Sequence, residues 1–104
     1  NRYVGGAEFR GKLKVGEKTS LYRGTWEFIS TTSYKFKWYA CKKHVRDQLE
    51  FVRVPKYCKA ISKNVSSIYR LKKNSRKKYL AVVMSAISDF GTFKALVGSS
   101  RKVK

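Results

Sequence analysis

Tyr34-Lys35-Phe36-Lys37-Trp38-Tyr39-Ala40-Cys41-Lys42 alternates apolar and cationic side chains with a period of two. That period puts Tyr34, Phe36, Trp38 and Ala40 on one face of a strand and Lys35, Lys37, Tyr39 and Cys41 on the other. The first face reads as core. The second is cationic with one aromatic ring, a composition suited to phosphates. Further along, Leu80-Ala81-Val82-Val83-Met84 is apolar at every position. A central strand buried on both faces needs such a run, although periodicity alone leaves a buried helix open.

Towards the N-terminus, Phe9, Gly11, Leu13 and Val15 alternate with Arg10, Lys12 and Lys14, a second half-exposed strand. A turn at 16–18 follows, then a strand over 21–29 around Trp26 and Phe28, and a polar break at 30–33. Beyond the central strand, Val45, Leu49 and Val52 have helical spacing and predict a short helix over 43–54, broken by Pro55. Phe51, Arg53 and Val54 leave an extended alternative there. A short element at 57–61 and a polar stretch at 62–67 come next. A hairpin is expected from 67–72 and 77–85 around the basic turn Lys73-Asn74-Ser75-Arg76. Ser88-Asp89 reads as the cap of a last short helix over 90–97, ended by Gly98. The sum is an α+β fold, one small domain of mostly antiparallel sheet with one or two short helices. Its expected bounds are 1–98, with 99–104 a flexible basic tail and 1–6 a loose end.

The chain has 104 residues, enough for one core, and 42% apolar with 14% aromatic residues is too rich for a solvated disordered chain. No apolar run approaches the length of a transmembrane helix. The sequence opens at Asn1 without an initiator Met or a signal-like segment, as expected of a processed protein or an excised fragment.

Twenty-five Lys and Arg face six Asp and Glu, a net charge of +19. A small domain so charged repels itself, and a polyanionic partner relieves that repulsion. Nucleic acid, DNA or RNA, is the first expectation. A heparin-like polyanion or an anionic membrane would satisfy the same charge. Lys outnumbers Arg 17 to 8. Lysine is a mobile point charge, whereas arginine reads guanine edges bidentately, so the bias points to the phosphate backbone.

Two patches concentrate that charge. The first packs Lys35, Lys37, Lys42, Lys43 and Arg46 around Trp38 and Tyr39, cations for phosphates beside rings for bases. Read plainly, Trp38 is core and the lysines are a solvated face, which leaves Tyr39 the better stacking residue. The second gathers Arg70, Lys72, Lys73, Arg76, Lys77 and Lys78 at the expected hairpin turn, next to Tyr69. A solubilising loop is its plain reading.

Cys41 and Cys58 either form a disulfide, stabilising by about 3 kcal/mol in the chain-entropy model, or stay as buried thiols. With His44 and Asp47 they would make a Cys₂-His-Asp zinc set, an unusual combination. His44, Glu50 and Arg46 are the residues from which acid-base cleavage of RNA would have to be built, but nothing in the sequence fixes them in one pocket. No phosphate-binding glycine loop, nucleophile elbow or dinucleotide fingerprint is present, and no cofactor or small-molecule substrate is implied. Asn64-Val65-Ser66 is a formal glycosylation acceptor.

The expected hairpin followed by Ser88-Asp89-Phe90-Gly91-Thr92-Phe93-Lys94-Ala95-Leu96 resembles the three-strand-plus-helix layout of small sheet-type DNA-binding domains. The small size, two cysteines and basic surface resemble secreted ribonuclease-like effectors and toxins. A motif diagnostic of either is missing. The leading expectation is non-catalytic nucleic-acid binding. The alternatives are a secreted basic effector or toxin with one disulfide, ribonuclease-like or RNA-binding, and a component of a large ribonucleoprotein.

Overall fold

In a computed structural model describing residues 2–27, 33–63 and 65–104, the described chain forms nine strands. They are β1 (Arg2–Gly5), β2 (Glu8–Gly11), β3 (Lys18–Tyr22), β4 (Thr25–Glu27), β5 (Ser33–Cys41), β6 (Cys58–Ala60), β7 (Ile68–Arg70), β8 (Tyr79–Ser88) and β9 (Gly91–Lys102). Three sheets result, with orders β1-β4, β2-β3-β7 and β6-β5-β8-β9. Phe28 and Ile29 of the strand expected over 21–29, most of the polar break at 30–33, and Asn1 and Asn64 lie outside the described residues.

β5 pairs with β8 from Ser33↔Ile87 to Cys41↔Tyr79 without a register shift. Its alternation then sorts the side chains as the sequence implies. Phe36, Trp38 and Ala40 are buried with Leu80, Val82, Met84 and Ala86 on one face, while Ala81 and Val83 are buried on the other. The apolar run is therefore an internal strand with two covered faces.

The first face packs on a single kinked hairpin. Residues 2–11 run antiparallel to 18–27, with Tyr3↔Trp26 at one end and Gly11↔Thr19 at the other. The kink falls at Gly24, whose φ is +76° and whose missing Cβ would stand 2.5 Å from the Gly5 carbonyl oxygen. Only glycine allows that approach. Residues 58–63 and 65–71 tie the hairpin to β5. Ile61 N–H donates to the Trp38 carbonyl, Phe36 N–H to the Val65 carbonyl, and Leu21 N–H to the Ser67 carbonyl, at 2.8–3.0 Å. This segment begins on the edge of β5 and ends, as β7, on the edge of β3. Trp38 lies between them, fully buried, stacked on Tyr69 at 5.6 Å, with its indole N–H on the Ser66 carbonyl at 2.9 Å.

Several expectations change. The fold is nearly all antiparallel sheet, not α+β, because neither expected helix forms. The only helical residues described are a 3-10 turn at Lys73–Ser75. Residues 43–54 are irregular, since Ala81, Val83 and Leu96 need a cover and Val45, Phe51, Val54 and Tyr57 supply it. Gln48 and Leu96 exchange backbone hydrogen bonds at 2.8 and 3.0 Å along the outer edge of β9. Residues 91–97 belong to β9 and Phe90 to the turn before it; Ala95 and Val97 point to one core and Leu96 to the other. A ladder along the whole of β8 outweighs the weak helix preference of those residues. Ser88 caps a turn here, its hydroxyl donating to the Gly91 carbonyl at 3.1 Å. The expected hairpin also re-pairs, β7 with β3 and β8 with β5 and β9, and with a strand in place of the final helix the three-strand-plus-helix layout disappears. Residues 99–102 continue β9, and Val103 is buried beside Arg76.

The β8–β9 register shifts between Tyr79 and Ala81. A bulge leaves backbone groups unpaired, and the buried Ser99 hydroxyl takes two of them, accepting from Leu80 N–H at 2.9 Å and donating to the Arg101 carbonyl at 2.8 Å. Ser99→Ala is expected to destabilise the fold by about 1–3 kcal/mol, read as a lowered Tm, because it orphans a buried N–H.

Burial pushes the Tyr3 phenol above its ordinary range, with the Ala7 N–H drawing it back in part and Asp47 adding to the rise. Burial likewise raises Tyr69, against a hydrogen bond with Asn74. Both phenols stay protonated in the fold at a pH where the unfolded chain has already released its protons. Their contribution is thus intact below about pH 10 and lost as pH rises through the raised values. In an alkaline titration followed by tyrosinate absorbance, Tyr3→Phe and Tyr69→Phe should each remove a late-ionising component. Loss of an early one would contradict the burial.

Candidate nucleic-acid interface

β5 does not present its cations as one patch. Lys35 and Lys37 project from the exposed half of the outer face, where Lys35 and Lys94 flank Ser85 on neighbouring strands. Lys42, Lys43 and Arg46 lie beyond Cys41, and six residues of strand separate Lys35 from Cys41 by about 20 Å. Trp38 and Tyr69 are core residues and have no surface to offer a base; burial of the inner face decided both. Tyr39 is half-buried, with Lys37 Nζ 5.7 Å from its ring centroid.

The second patch is enlarged by tertiary structure. Gly16 N–H donates to the Leu71 carbonyl and Leu71 N–H to the Glu17 carbonyl, at 2.8 and 2.9 Å. Val15 and Lys104 are joined at 2.8 Å, and Lys104 N–H reaches the Leu13 carbonyl at 2.9 Å. Val103 is held between Lys77 and Lys78 by two backbone bonds of 2.8 Å. The hairpin turn, the 3-10 turn and the C-terminal residues therefore meet at one end of a molecule 39 Å long. Lys12, Lys14 and Lys18 come from the first, Arg70, Lys72, Lys73, Arg76, Lys77 and Lys78 from the second, and Arg101, Lys102 and Lys104 from the third. Of the acids, only Glu17 lies within these segments. Lys18 and Arg70 are direct cross-strand partners, an arrangement of like charges that costs stability. Arg70 turns its guanidinium to the Gly16 carbonyl at 2.7 Å. Lys77 holds a φ of +61°, a left-handed conformation uncommon for a side-chain-bearing residue, in the turn that presents the cluster.

Aromatic rings do stand at this end, but not the ones expected. Lys102 Nζ is 5.7 Å from the Tyr79 ring centroid, His44 meets Tyr79 edge-on at 5.7 Å, and Lys43 Nζ is 5.8 Å from the Tyr57 ring. Both tyrosines are half-buried. Their signal in the sequence was the flanking charge, Lys77-Lys78-Tyr79 and Lys56-Tyr57, without a period to mark them as outward.

Cys41 and Cys58 form a disulfide, with Cα atoms 4.0 Å apart. It closes the neck of loop 42–57, also held by Lys42 N–H on the Tyr57 carbonyl at 3.1 Å. Both sulfurs of the Cys₂-His-Asp zinc set are thereby consumed. His44 and Glu50, the two acid-base candidates, do not converge. His44 sits at Tyr79, whereas Phe51, next to Glu50, bonds to Lys94 at the level of Ser85, about 20 Å along the sheet.

Among the described residues the ion pairs are Arg2–Glu27 and Arg10–Glu8, each 3.8 Å and exposed. Such pairs contribute about 0–1 kcal/mol, so the cations of residues 70–78 and 101–104 have no carboxylate to neutralise them. Comparison with protein-family models, curated proteins and solved structures finds no match.

The double substitution Cys41→Ser/Cys58→Ser should lower stability by about 3 kcal/mol in denaturant titration, with the largest rise in amide exchange over 42–57. Uniformly raised exchange would mean that the disulfide supports the whole fold instead of this loop.

Proposed function

We propose that this protein is a non-catalytic nucleic-acid-binding domain that recognises the phosphate backbone through its cationic end. One observation carries the reading: cations from three separate segments are drawn together by backbone hydrogen bonds, with no carboxylate among the described residues paired to those of 70–78 and 101–104. A fold that gathers like charge at its own expense gains from a partner that neutralises it. Lysine predominates there, which favours phosphates over base edges. Tyr57 and Tyr79 supply rings beside the cations, a combination that holds unpaired bases.

Binding to single- and double-stranded DNA and RNA, measured across a salt series with heparin as competitor, tests this. Log affinity should fall linearly with log salt, and Lys72→Gln/Lys73→Gln/Lys77→Gln should weaken binding and flatten the slope by about one per lost phosphate contact. Salt-independent binding, or a marked preference for heparin, would remove the reading.

The disulfide favours a second reading, a secreted basic effector or toxin, because disulfides persist in oxidising compartments. Host RNA, glycan or membrane would then be the target. Two free thiols in protein isolated from its source would count against it.

A further inference from the structure

β2 and β9 are edge strands of different sheets, and a cleft of about 1140 Å³ runs between them. Ala7, Phe9 and Leu13, all half-buried, form an apolar floor. Lys12 and Lys14 rise from one side, and Arg101 and Lys104 from the other, all exposed, while Lys102 contributes to the lining but holds its ammonium over the Tyr79 ring on the outer face. Glu8 is the acid on the lining, and Arg10 offsets it at 3.8 Å. The cleft stays open because the β8–β9 bulge carries residues 99–101 out of register while Lys104 returns to bond Leu13 and Val15.

We infer that this cleft, whose apolar floor lies between two cationic rims, is a seat for a single-stranded segment of nucleic acid. The inference rests on the nucleic-acid reading above and names the strand form and the place. A single strand has phosphates on a flexible backbone and bases free to turn away from it. Cations on opposite rims take the phosphates, and the floor takes base faces. A duplex keeps its bases stacked and paired, and offers no free base faces to the floor. Duplex contact is confined to the outer cations of 70–78. The cleft is also continuous with those cations, since Val103 bonds to Lys77 and Lys78 on one side and Lys104 to Leu13 on the other. A strand leaving the cleft therefore meets further positive charge.

The test compares two charge-matched triple variants of the intact protein, K12Q/K14Q/R101Q in the cleft and K35Q/K37Q/K94Q on the far outer face. All six positions are exposed, so neither variant is expected to lose Tm. Fluorescence anisotropy with a short single-stranded oligonucleotide should show the cleft variant about 10- to 100-fold weaker at about 0.1 M salt, with a salt slope reduced by about two. The outer-face variant should lose about threefold or less, and duplex binding should change far less than single-strand binding in the cleft variant. Equal losses in the two triples, or unchanged single-strand affinity in the cleft variant, would overturn the inference while leaving nucleic-acid binding intact. Tighter cleft-dependent binding of a polyglutamate peptide would overturn it in favour of an acidic protein segment. Absence of salt-sensitive binding to any nucleic acid by the unmodified protein would remove the broader reading, and the inference with it.

Discussion

The uninterrupted antiparallel ladder between β5 and β8 is the constraint from which the rest of the molecule follows. Because side chains alternate across a sheet, one register fixes which of them face each side, and a slip of one residue would exchange the faces entirely. Here it sends Trp38, Met84 and Val82 to one side and Cys41, Val83 and Ala81 to the other. Both sides are apolar, so both must be covered. The kinked N-terminal hairpin covers the first, and loop 42–57 covers the second. Substituting Trp38 at the centre would be expected to cost as much as other fully buried aromatics, about 3–5 kcal/mol.

The two covers are secured differently. The hairpin is held by a ladder, by the crossing residues 58–63 and 65–71 and by glycine at the kink. The loop has few regular hydrogen bonds, and its attachments include Val45 over Gly98, the exchange between Gln48 and Leu96, the bond from Phe51 to Lys94, and the disulfide at its neck. At Gly98 an added Cβ would collide with the Val45 carbonyl oxygen. Loop and sheet thus touch through backbone at that point, and a side chain there would lift the loop.

Charge works against this economy. A net +19 on a small fold favours expansion, and two exposed ion pairs do little to offset it. The cations are not spread as far apart as possible. Backbone bonds at Leu71, Val103 and Lys104 draw three basic segments together, while Lys35, Lys37 and Lys94 stay on the outer face nearer the opposite end. Stability supplied by the two cores is what permits that concentration, and a bound polyanion would reverse its sign.

The sequence by itself determined the central strand, the inner and outer faces of residues 34–41, and the burial of residues 80–84 on both sides, because period-two alternation and unbroken apolarity are local properties. It also determined the sign of the surface and the lysine bias. It misread 43–54 and 90–97 as helices, because helical spacing of Val45, Leu49 and Val52 and a capping Ser88-Asp89 are weak local preferences. The unsatisfied face and edge of β8 outweigh them, and that edge exists only once the sheet has formed. Trp38 and Tyr69 looked available as rings among cations until packing enclosed them. Tertiary structure alone decided that Lys12, Lys14, the 70–78 cations, Arg101, Lys102 and Lys104 share one end, and that Lys12, Lys14, Arg101 and Lys104 rim one cleft, because hydrogen bonds between segments far apart in the chain leave no trace in the spacing of the residues that make them.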